Sequence, residues 1–153
     1  MRMRLAVAPA TAVLLLAASS PPAAAAEVVI HEVGGAGGCL TARNASPLVT
    51  IGDCYVAPNG SKTWIRSDAR VTSYVTKLNG LCMVATGTYE PPDLGPCRQN
   101  PIGKLWIRKP AKGGINLESK ALPGWCLSRA SGGDGPEGDL NMYPCKGGVT
   151  VWK

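Results

Sequence analysis

Hydrophobic residues occur along this 153-residue chain in short runs separated by residues that favour turns. After residue 26 the runs follow one another at roughly 10-residue spacing, and no stretch keeps the period of an amphipathic helix. Strand candidates lie around Val29, Val49 and Leu117, and Asn79 and Gly80 predict a reversal of the chain. The 19 glycines and 13 prolines fit a domain with many tight connections. The pattern predicts an all-β fold.

Three stretches of the chain share one order of residues: a cysteine beside an apolar residue, a second cysteine, and a closing tryptophan. The members are Cys39, Leu40, Cys54 and Trp64; Cys82, Met83, Cys97 and Trp106; and Cys126, Leu127, Cys145 and Trp152. The first cysteines are 43 and 44 residues apart, and the closing tryptophans 42 and 46. A nearly fixed period of this length indicates an internal structural repeat.

The repeats determine the predicted architecture. Three copies of a four-strand unit close most simply around a pseudo-threefold axis as a β-trefoil, with repeats at about residues 27–66, 67–108 and 109–153. A large aromatic residue that recurs once per repeat suits a core shared by all three. We therefore expect Trp64, Trp106 and Trp152 to be structural core residues.

The first 26 residues have the features of a secretory signal peptide. Arg2 and Arg4 precede an apolar run over residues 5–18, and small residues follow up to Ala26. The run is shorter than the ~20 residues that a membrane-spanning helix needs. We expect cleavage before Glu27, no membrane-spanning segment, and a secreted, extracellular domain of residues 27–153.

All six cysteines lie after the predicted leader, and disulfides persist in the oxidising compartment that an exported chain reaches. Only one pairing pattern can be reproduced in all three repeats: Cys39 with Cys54, Cys82 with Cys97, and Cys126 with Cys145. The chain has no close cysteine pair of the CxxC type and one histidine, His31. Neither a metal site nor another cofactor is therefore expected.

The basic residues are scattered, apart from a cluster at Arg108, Lys109 and Lys112. The formal charge of +6 falls to about +4 when Arg2 and Arg4 leave with the leader. A nucleic-acid surface would be denser in basic residues, so we expect no nucleic-acid partner.

The sequence resembles the ricin B-type lectin family over essentially the whole predicted mature chain. Repeats of that family start with Cys-Leu-Asp and end with Gln-x-Trp. The starts match at Cys39-Leu40, Cys82-Met83 and Cys126-Leu127, and the ends are Lys62-Thr63-Trp64, Lys104-Leu105-Trp106 and Thr150-Val151-Trp152. The glutamine is missing from all three ends. The resemblance implies a β-trefoil and a carbohydrate-binding function.

Sugar pockets of that family use an aspartate two residues after the first cysteine, an aromatic residue two before the second cysteine, and a nearby amide. The aspartate positions hold Thr41, Val84 and Ser128, and the aromatic positions hold Gly52, Gly95 and Tyr143. Neither a hydroxyl nor valine can replace a bidentate carboxylate acceptor. The resemblance therefore implies altered pockets in repeats one and two, and an aromatic platform in repeat three alone.

The candidate carbohydrate-binding residues lie in repeat three. Tyr143 would stack on a sugar, Asn141 and Ser128 would offer hydrogen bonds, and Asp134 or Asp139 would replace the missing carboxylate. Trp125 is a further candidate for the sugar site. The equivalent positions of the other two repeats hold Gly38 and Leu81, so the repeated core does not require an aromatic residue there.

Two alternatives to a sugar site in repeat three stay open. Tyr143 would instead pack against the next repeat, and Asp134, Glu137 and Asp139 would only solvate a loop.

Two functions are consistent with these features. The first is a secreted carbohydrate-binding, lectin-like protein with at most one sugar site, whose partner is a glycan or glycoconjugate. The second is a trefoil that recognises a protein partner, as a secreted inhibitor or a toxin-like accessory subunit, through loops at residues 90–95 or 109–114. We expect no enzyme, because one histidine and no free cysteine leave no catalytic constellation.

Overall fold

The computed structural model describes residues 24–35, 37–44, 46–130 and 135–153. These residues form short strands and one helical turn: β1 Ala25–Val29, β2 Gly38–Arg43, β3 Ser46–Asp53, α1 Asn59–Lys62, β4 Thr63–Ser67, β5 Val71–Ser73, β6 Val75–Thr76, β7 Cys82–Val84, β8 Asp93–Gly95, β9 Leu105–Ala111, β10 Gly114–Ser119, β11 Trp125–Arg129 and β12 Leu140–Pro144. Within these ranges, no helix has the length and apolar character needed to cross a membrane.

The strands form two antiparallel sheets. One has seven strands in the order β1-β4-β6-β7-β8-β3-β2, and the other has five in the order β12-β11-β10-β9-β5. A bridge between Ile51 and Gly138 joins the sheets, with Ile51 N–H donating to the Gly138 carbonyl at 2.8 Å. The short strands and glycine turns predicted by the sequence are present. Gly80, for example, adopts φ +74° at the predicted reversal.

The three closing tryptophans are fully buried in one core, and each makes the same hydrogen bond. The indole N–H donates to the carbonyl of the residue that follows the first cysteine of its own repeat. The acceptors are Leu40 for Trp64 at 2.9 Å, Met83 for Trp106 at 3.0 Å, and Leu127 for Trp152 at 3.2 Å. This repetition gives the core its pseudo-threefold symmetry.

The barrel closes where the N-terminal segment meets residues 151–153. His31 and Lys153 exchange two backbone hydrogen bonds of 2.9 Å, and Val33 N–H donates to the Val151 carbonyl at 2.8 Å. With its three tryptophan repeats, this closed arrangement is a β-trefoil, and the predicted fold class is confirmed.

Lysine occupies the glutamine position of the first two repeats and ties their ends to their second cysteines. Lys62 Nζ donates to the Cys54 carbonyl at 2.6 Å, and Lys104 Nζ donates to the Cys97 carbonyl. In repeat three this position is Thr150, whose hydroxyl instead accepts a hydrogen bond from Arg129 N–H at 2.9 Å. The ends are therefore anchored without the glutamine.

Two of the three predicted disulfides are present, Cys82–Cys97 and Cys126–Cys145. The predicted Cys39–Cys54 bridge is not formed, and both residues carry free thiols. Cys39 is buried beside Cys54, and burial, together with the hydrogen bond between the thiols, raises the pKa of Cys39 to about 12. The Cys54 Sγ lies 3.4 Å from His31 Nδ1. The repeat pattern correctly predicted that Cys39 and Cys54 are neighbours, but it did not predict that their thiols are free.

The structure bears on two further sequence predictions. β1 starts at Ala25, which pairs with Ser67, so the strand includes the last two residues of the predicted leader. The segments predicted as recognition loops, residues 90–95 and 109–114, partly form strands. Residues 93–95 form β8, and β9 and β10 are joined by a tight turn in which Gly113 has φ +87°.

Candidate functional site

The candidate site lies on the hairpin formed by β11 and β12. Opposite residues of an antiparallel pair lie on the same face, and the register pairs Leu127 with Met142 in the core. The next pair, Ser128 with Asn141, therefore faces away from the core. Cys126, opposite Tyr143, is on the same face. The hairpin thus brings together Ser128, Asn141 and Tyr143, as expected for one site.

A cavity of about 250 Å³ opens at this hairpin and is called here the third-repeat pocket. Its wall is formed by Ser128, Arg129, Tyr143, Pro144, Gly147, Gly148 and Val149. Two predicted site residues, Ser128 and Tyr143, line it directly. Asn141 does not line it but is the cross-strand neighbour of Ser128, and therefore lies on the same face of the hairpin.

The Ser128 hydroxyl is held by the protein at the base of the third-repeat pocket. Its oxygen accepts a hydrogen bond from Thr150 N–H at 2.9 Å and lies 3.0 Å from Thr150 Oγ1. A serine hydroxyl has one donor and two acceptor sites, so at most one lone pair is left for a ligand. Ser128 therefore mainly shapes the pocket.

Arg129 lies at the wall of the third-repeat pocket and is held by an ion pair with Glu32. The closest approach, from Nη2 to Glu32 Oε2, is 2.6 Å, and Nε donates to Glu32 Oε1 at 3.0 Å. The two side chains are only 14% and 9% exposed. This pair links the N-terminal segment to the pocket.

Tyr143 contacts a tyrosine that sequence reasoning did not include. Tyr89, in a proline-rich loop of repeat two, packs edge-on against Trp125, with ring centroids 4.8 Å apart, and against Tyr143 at 5.9 Å. We call these three residues the aromatic cluster. Tyr143 thus contacts repeat two, the repeat before its own, rather than the next repeat as the alternative proposed, and it also lines the third-repeat pocket. In the sequence, Tyr89 is distinguished only as an isolated aromatic residue in a turn-rich segment.

The predicted loop carboxylates lie away from the third-repeat pocket or outside the described residues. Asp134 lies outside the described residues. Asp139 is exposed and does not line the pocket, and its carbonyl accepts a hydrogen bond from Ala130 N–H at 2.9 Å. Glu137 lines a different cavity, in repeat one. Backbone pairing of Gly138 with Ile51 holds this segment against repeat one. Among described residues, no carboxylate lines the third-repeat pocket.

The larger cavity, about 520 Å³, lies in repeat one near Thr41 and Gly52. Of the residues that the structure describes, its lining includes the aliphatic Val56, Pro58 and Leu78 and no aromatic side chain. The hydroxyl of Thr41 lies 3.1 Å from that of Thr50. This cavity has space but lacks a stacking platform.

Repeat two offers little polar chemistry at the corresponding position. Val84 is buried within β7, and a Cβ at Gly95 would lie 3.5 Å from it. The repeat instead contributes Tyr89 to the aromatic cluster.

Glu118 lies beside the Cys126–Cys145 disulfide, with one carboxylate oxygen 3.8 Å from Cys145 Sγ. Because both sulfurs are in the disulfide, they are not thiolate ligands for a metal. Glu118 instead forms an ion pair with Lys109 and accepts a hydrogen bond from Gly124 N–H at 3.0 Å. Its role here is to hold the turn that leads to Trp125.

No protein-family model matches the sequence, and no curated protein matches it significantly. Solved structures do match by fold. An endo-β-galactosidase of Clostridium perfringens that releases GlcNAcα1-4Gal has 16% identity and a TM-score of 0.68 over 83% of this chain and 31% of its own. The Polyporus squamosus lectin, bound to an influenza-binding epitope, has 18% identity and a TM-score of 0.68 over 83% of this chain and 47% of its own.

A chain of the cytolethal distending toxin of Actinobacillus actinomycetemcomitans also matches. It has 14% identity and a TM-score of 0.66, with 80% of this chain and 87% of the toxin chain covered. This chain spans about a third of the galactosidase and about half of the lectin, but most of the toxin chain. At these identities, the matches show the β-trefoil fold alone.

Proposed function

We propose that this chain is a secreted carbohydrate-binding protein with a single sugar site, the third-repeat pocket. The observation that carries the proposal is the position of Tyr143, half-buried at the wall of a pocket, where the equivalent residues of the other repeats are glycines. A fixed aromatic ring suits the apolar face of a sugar. Asn141 supplies an amide that both donates and accepts hydrogen bonds.

The comparisons support this proposal at the level of the fold. The matched Polyporus squamosus lectin is described as bound to Neu5Acα2-6Galβ1-4GlcNAc, and the matched Clostridium perfringens enzyme acts on a galactoside. Two trefoils associated with glycans make galactose-containing glycans a sensible first group of probes for this chain.

A shallow pocket of this size is expected to bind one sugar weakly, with a dissociation constant of ~1 mM, or about 4 kcal/mol. Useful avidity then requires display of several copies of the protein or of the glycan. The assay must therefore be multivalent.

The test is a glycan array probed with a multivalent form of the protein. We expect Tyr143→Ala to abolish binding and Asn141→Ala to weaken it about tenfold, a change of 1.4 kcal/mol. The matched control is Tyr55→Ala, because Tyr55 is 89% exposed and lies in repeat one. Binding that survives in folded Tyr143→Ala protein would place the site elsewhere, and a blank array for folded wild-type protein would refute the proposal.

Secretion is part of the proposal and rests on the leader pattern of residues 1–26. N-terminal sequencing of the exported protein should begin at Glu27. Retention of residue 1 in the exported protein would contradict it.

A second candidate is protein recognition, as a toxin-like accessory subunit. The observation that favours it is the match to a toxin chain over 80% of this chain and 87% of the toxin chain, together with the strongly exposed neighbours Tyr55 and Val56. This candidate predicts a blank glycan array for correctly folded protein.

A further inference from the structure

We propose that the aromatic cluster of Tyr89, Trp125 and Tyr143 is a second subsite, which binds the next sugar of an oligosaccharide whose first sugar occupies the third-repeat pocket. The inference rests on the proposed function and adds to it the class of ligand, an oligosaccharide rather than a monosaccharide. It also assigns repeat two a role in binding, through Tyr89.

Continuity of the surface is the first argument. Tyr143 belongs both to the wall of the third-repeat pocket and to the aromatic cluster, where its ring centroid lies 5.9 Å from that of Tyr89. A sugar in the pocket would therefore be followed, across Tyr143, by an aromatic surface rather than by open solvent. The exposed part of this surface is mainly Tyr89, which is 60% exposed.

The backbone at Tyr89 gives the second argument. Tyr89 has φ +60°, a left-handed conformation that is unfavourable for a bulky residue. Two hydrogen bonds of 3.0 Å hold it there, from Tyr89 N–H to the Met142 carbonyl and from Met142 N–H to the Glu90 carbonyl. The strained residue is thus fixed to β12, next to Tyr143. A glycine or asparagine would adopt this backbone conformation more easily, so the backbone by itself gives no reason for a tyrosine at this position.

Trp125 is also held in place. Its backbone N–H donates to the Leu122 carbonyl at 3.0 Å. The preceding residue, Gly124, has φ +84°, and its backbone N–H donates to the Glu118 carboxylate. Trp125 is the only one of the four tryptophans that is not fully buried. It is therefore both part of the subsite and a built-in fluorescent reporter of it.

Rigid aromatic rings at fixed spacing suit sugars, because each ring offers a large contact area at little entropic cost. A second stacked sugar is expected to improve binding about tenfold, equivalent to 1.4 kcal/mol. The chain would then discriminate glycans by length.

The experiment compares, on one glycan array, each monosaccharide with the di- and trisaccharides that contain it, using the multivalent exported protein. The informative variant is Tyr89→Asn, because asparagine tolerates positive φ and removes only the ring. We expect wild-type protein to prefer the oligosaccharide about tenfold and Tyr89→Asn to lose this preference while binding the monosaccharide as before. Tyr89→Phe should retain the preference, and Tyr55→Ala, which alters an exposed tyrosine outside the site, should also retain it.

Acrylamide quenching of tryptophan fluorescence provides the second measurement. The oligosaccharide should protect Trp125 from quenching in the wild-type protein, whereas the monosaccharide should not, and Trp125→Phe should remove the effect. This measurement decides the question if Tyr89→Asn does not fold.

Four results distinguish the proposals. An unchanged length preference in folded Tyr89→Asn protein overturns the second subsite, and equal protection of Trp125 by both ligands does the same. Binding that survives Tyr143→Ala overturns the third-repeat site itself. No binding to any glycan overturns both.

Discussion

At the scale of single residues, Glu118 is a buried charge that the fold must stabilise. Burial by itself raises the pKa of this carboxyl group, but the Lys109 ammonium and the Gly124 N–H outweigh it, and the net pKa lies below its ordinary value of 4.5. A carboxyl group with a lowered pKa contributes stability that is fully present above its unfolded-state pKa and is lost as the pH falls through the folded-state pKa.

We therefore predict that Glu118→Gln lowers the free energy of unfolding at pH 7 by about 2 kcal/mol and reduces its dependence on pH below about pH 4.5. Denaturant titrations at pH 7 and at a series of acidic pH values would measure both effects. Asp68→Asn is the control, since Asp68 also forms an ion pair, with Arg66, but its own side chain is 71% exposed. A Glu118→Gln protein that loses as much stability on acidification as the wild type would contradict the assignment.

The sequence predicted some residues of the site and missed others, and the difference has a physical cause. Tyr143 and Trp125 could be recognised because they break the repeat pattern. Tyr89 could not, because its contact with Tyr143 joins two repeats and depends on backbone pairing with Met142. Likewise, the sequence did not reveal that the Ser128 hydroxyl is bonded to Thr150.

At the scale of elements, the Glu32–Arg129 ion pair fastens the N-terminal segment to β11. Removing one partner of a largely buried pair leaves the other charge without its main counterpart. We predict that Glu32→Ala lowers the free energy of unfolding by about 3 kcal/mol. Chemical denaturation would measure this loss.

Lys77→Ala is the matched control for this ion pair. Lys77 also pairs with the N-terminal segment, through Glu27, but both side chains are about half exposed. Its removal should cost less than about 0.5 kcal/mol. Equal losses in the two variants would show that the Glu32–Arg129 pair has no special role.

The thiols of Cys39, in β2, and Cys54, just after β3, make a further element-scale prediction. In unreduced protein that has been unfolded, an alkylating reagent should label these two cysteines and none of the other four. In the native protein Cys54 should react first, because Cys39 is buried and its pKa is raised to about 12. Peptide mapping identifies the labelled residues. A peptide linking Cys39 to Cys54 would show that the third bridge forms after all.

Elements were easier to predict where turns carry clear signals. The reversal of the chain was predicted from Asn79 and Gly80, and Gly80 has φ +74° in the structure. β8 was not expected, because Pro91 and Pro92 precede it, yet its pairing with β7 begins only at Asp93. Proline at the edge of a strand does not prevent the ladder that follows it.

At the scale of the whole molecule, the threefold repeat was the most informative feature of the sequence. It predicted the trefoil because each repeat supplies one tryptophan and one apolar residue after its first cysteine. In the structure, a hydrogen bond joins these two residues in every repeat. The binding surface does not follow this symmetry. The symmetric residues build the core, while the residues that differ between repeats build the third-repeat pocket and the aromatic cluster.

The closure of the barrel also constrains when the protein can fold. His31 and Val33 find backbone hydrogen-bond partners in Lys153 and Val151, whereas Glu32 N–H donates to the nearby Gly38 carbonyl, so the bonds that close the barrel form only once residues 151–153 have been synthesised. Contacts between such distant segments are slow to form. A nascent chain lacking residues 151–153 therefore cannot close its barrel, and the complete fold is reached only after synthesis has passed residue 153.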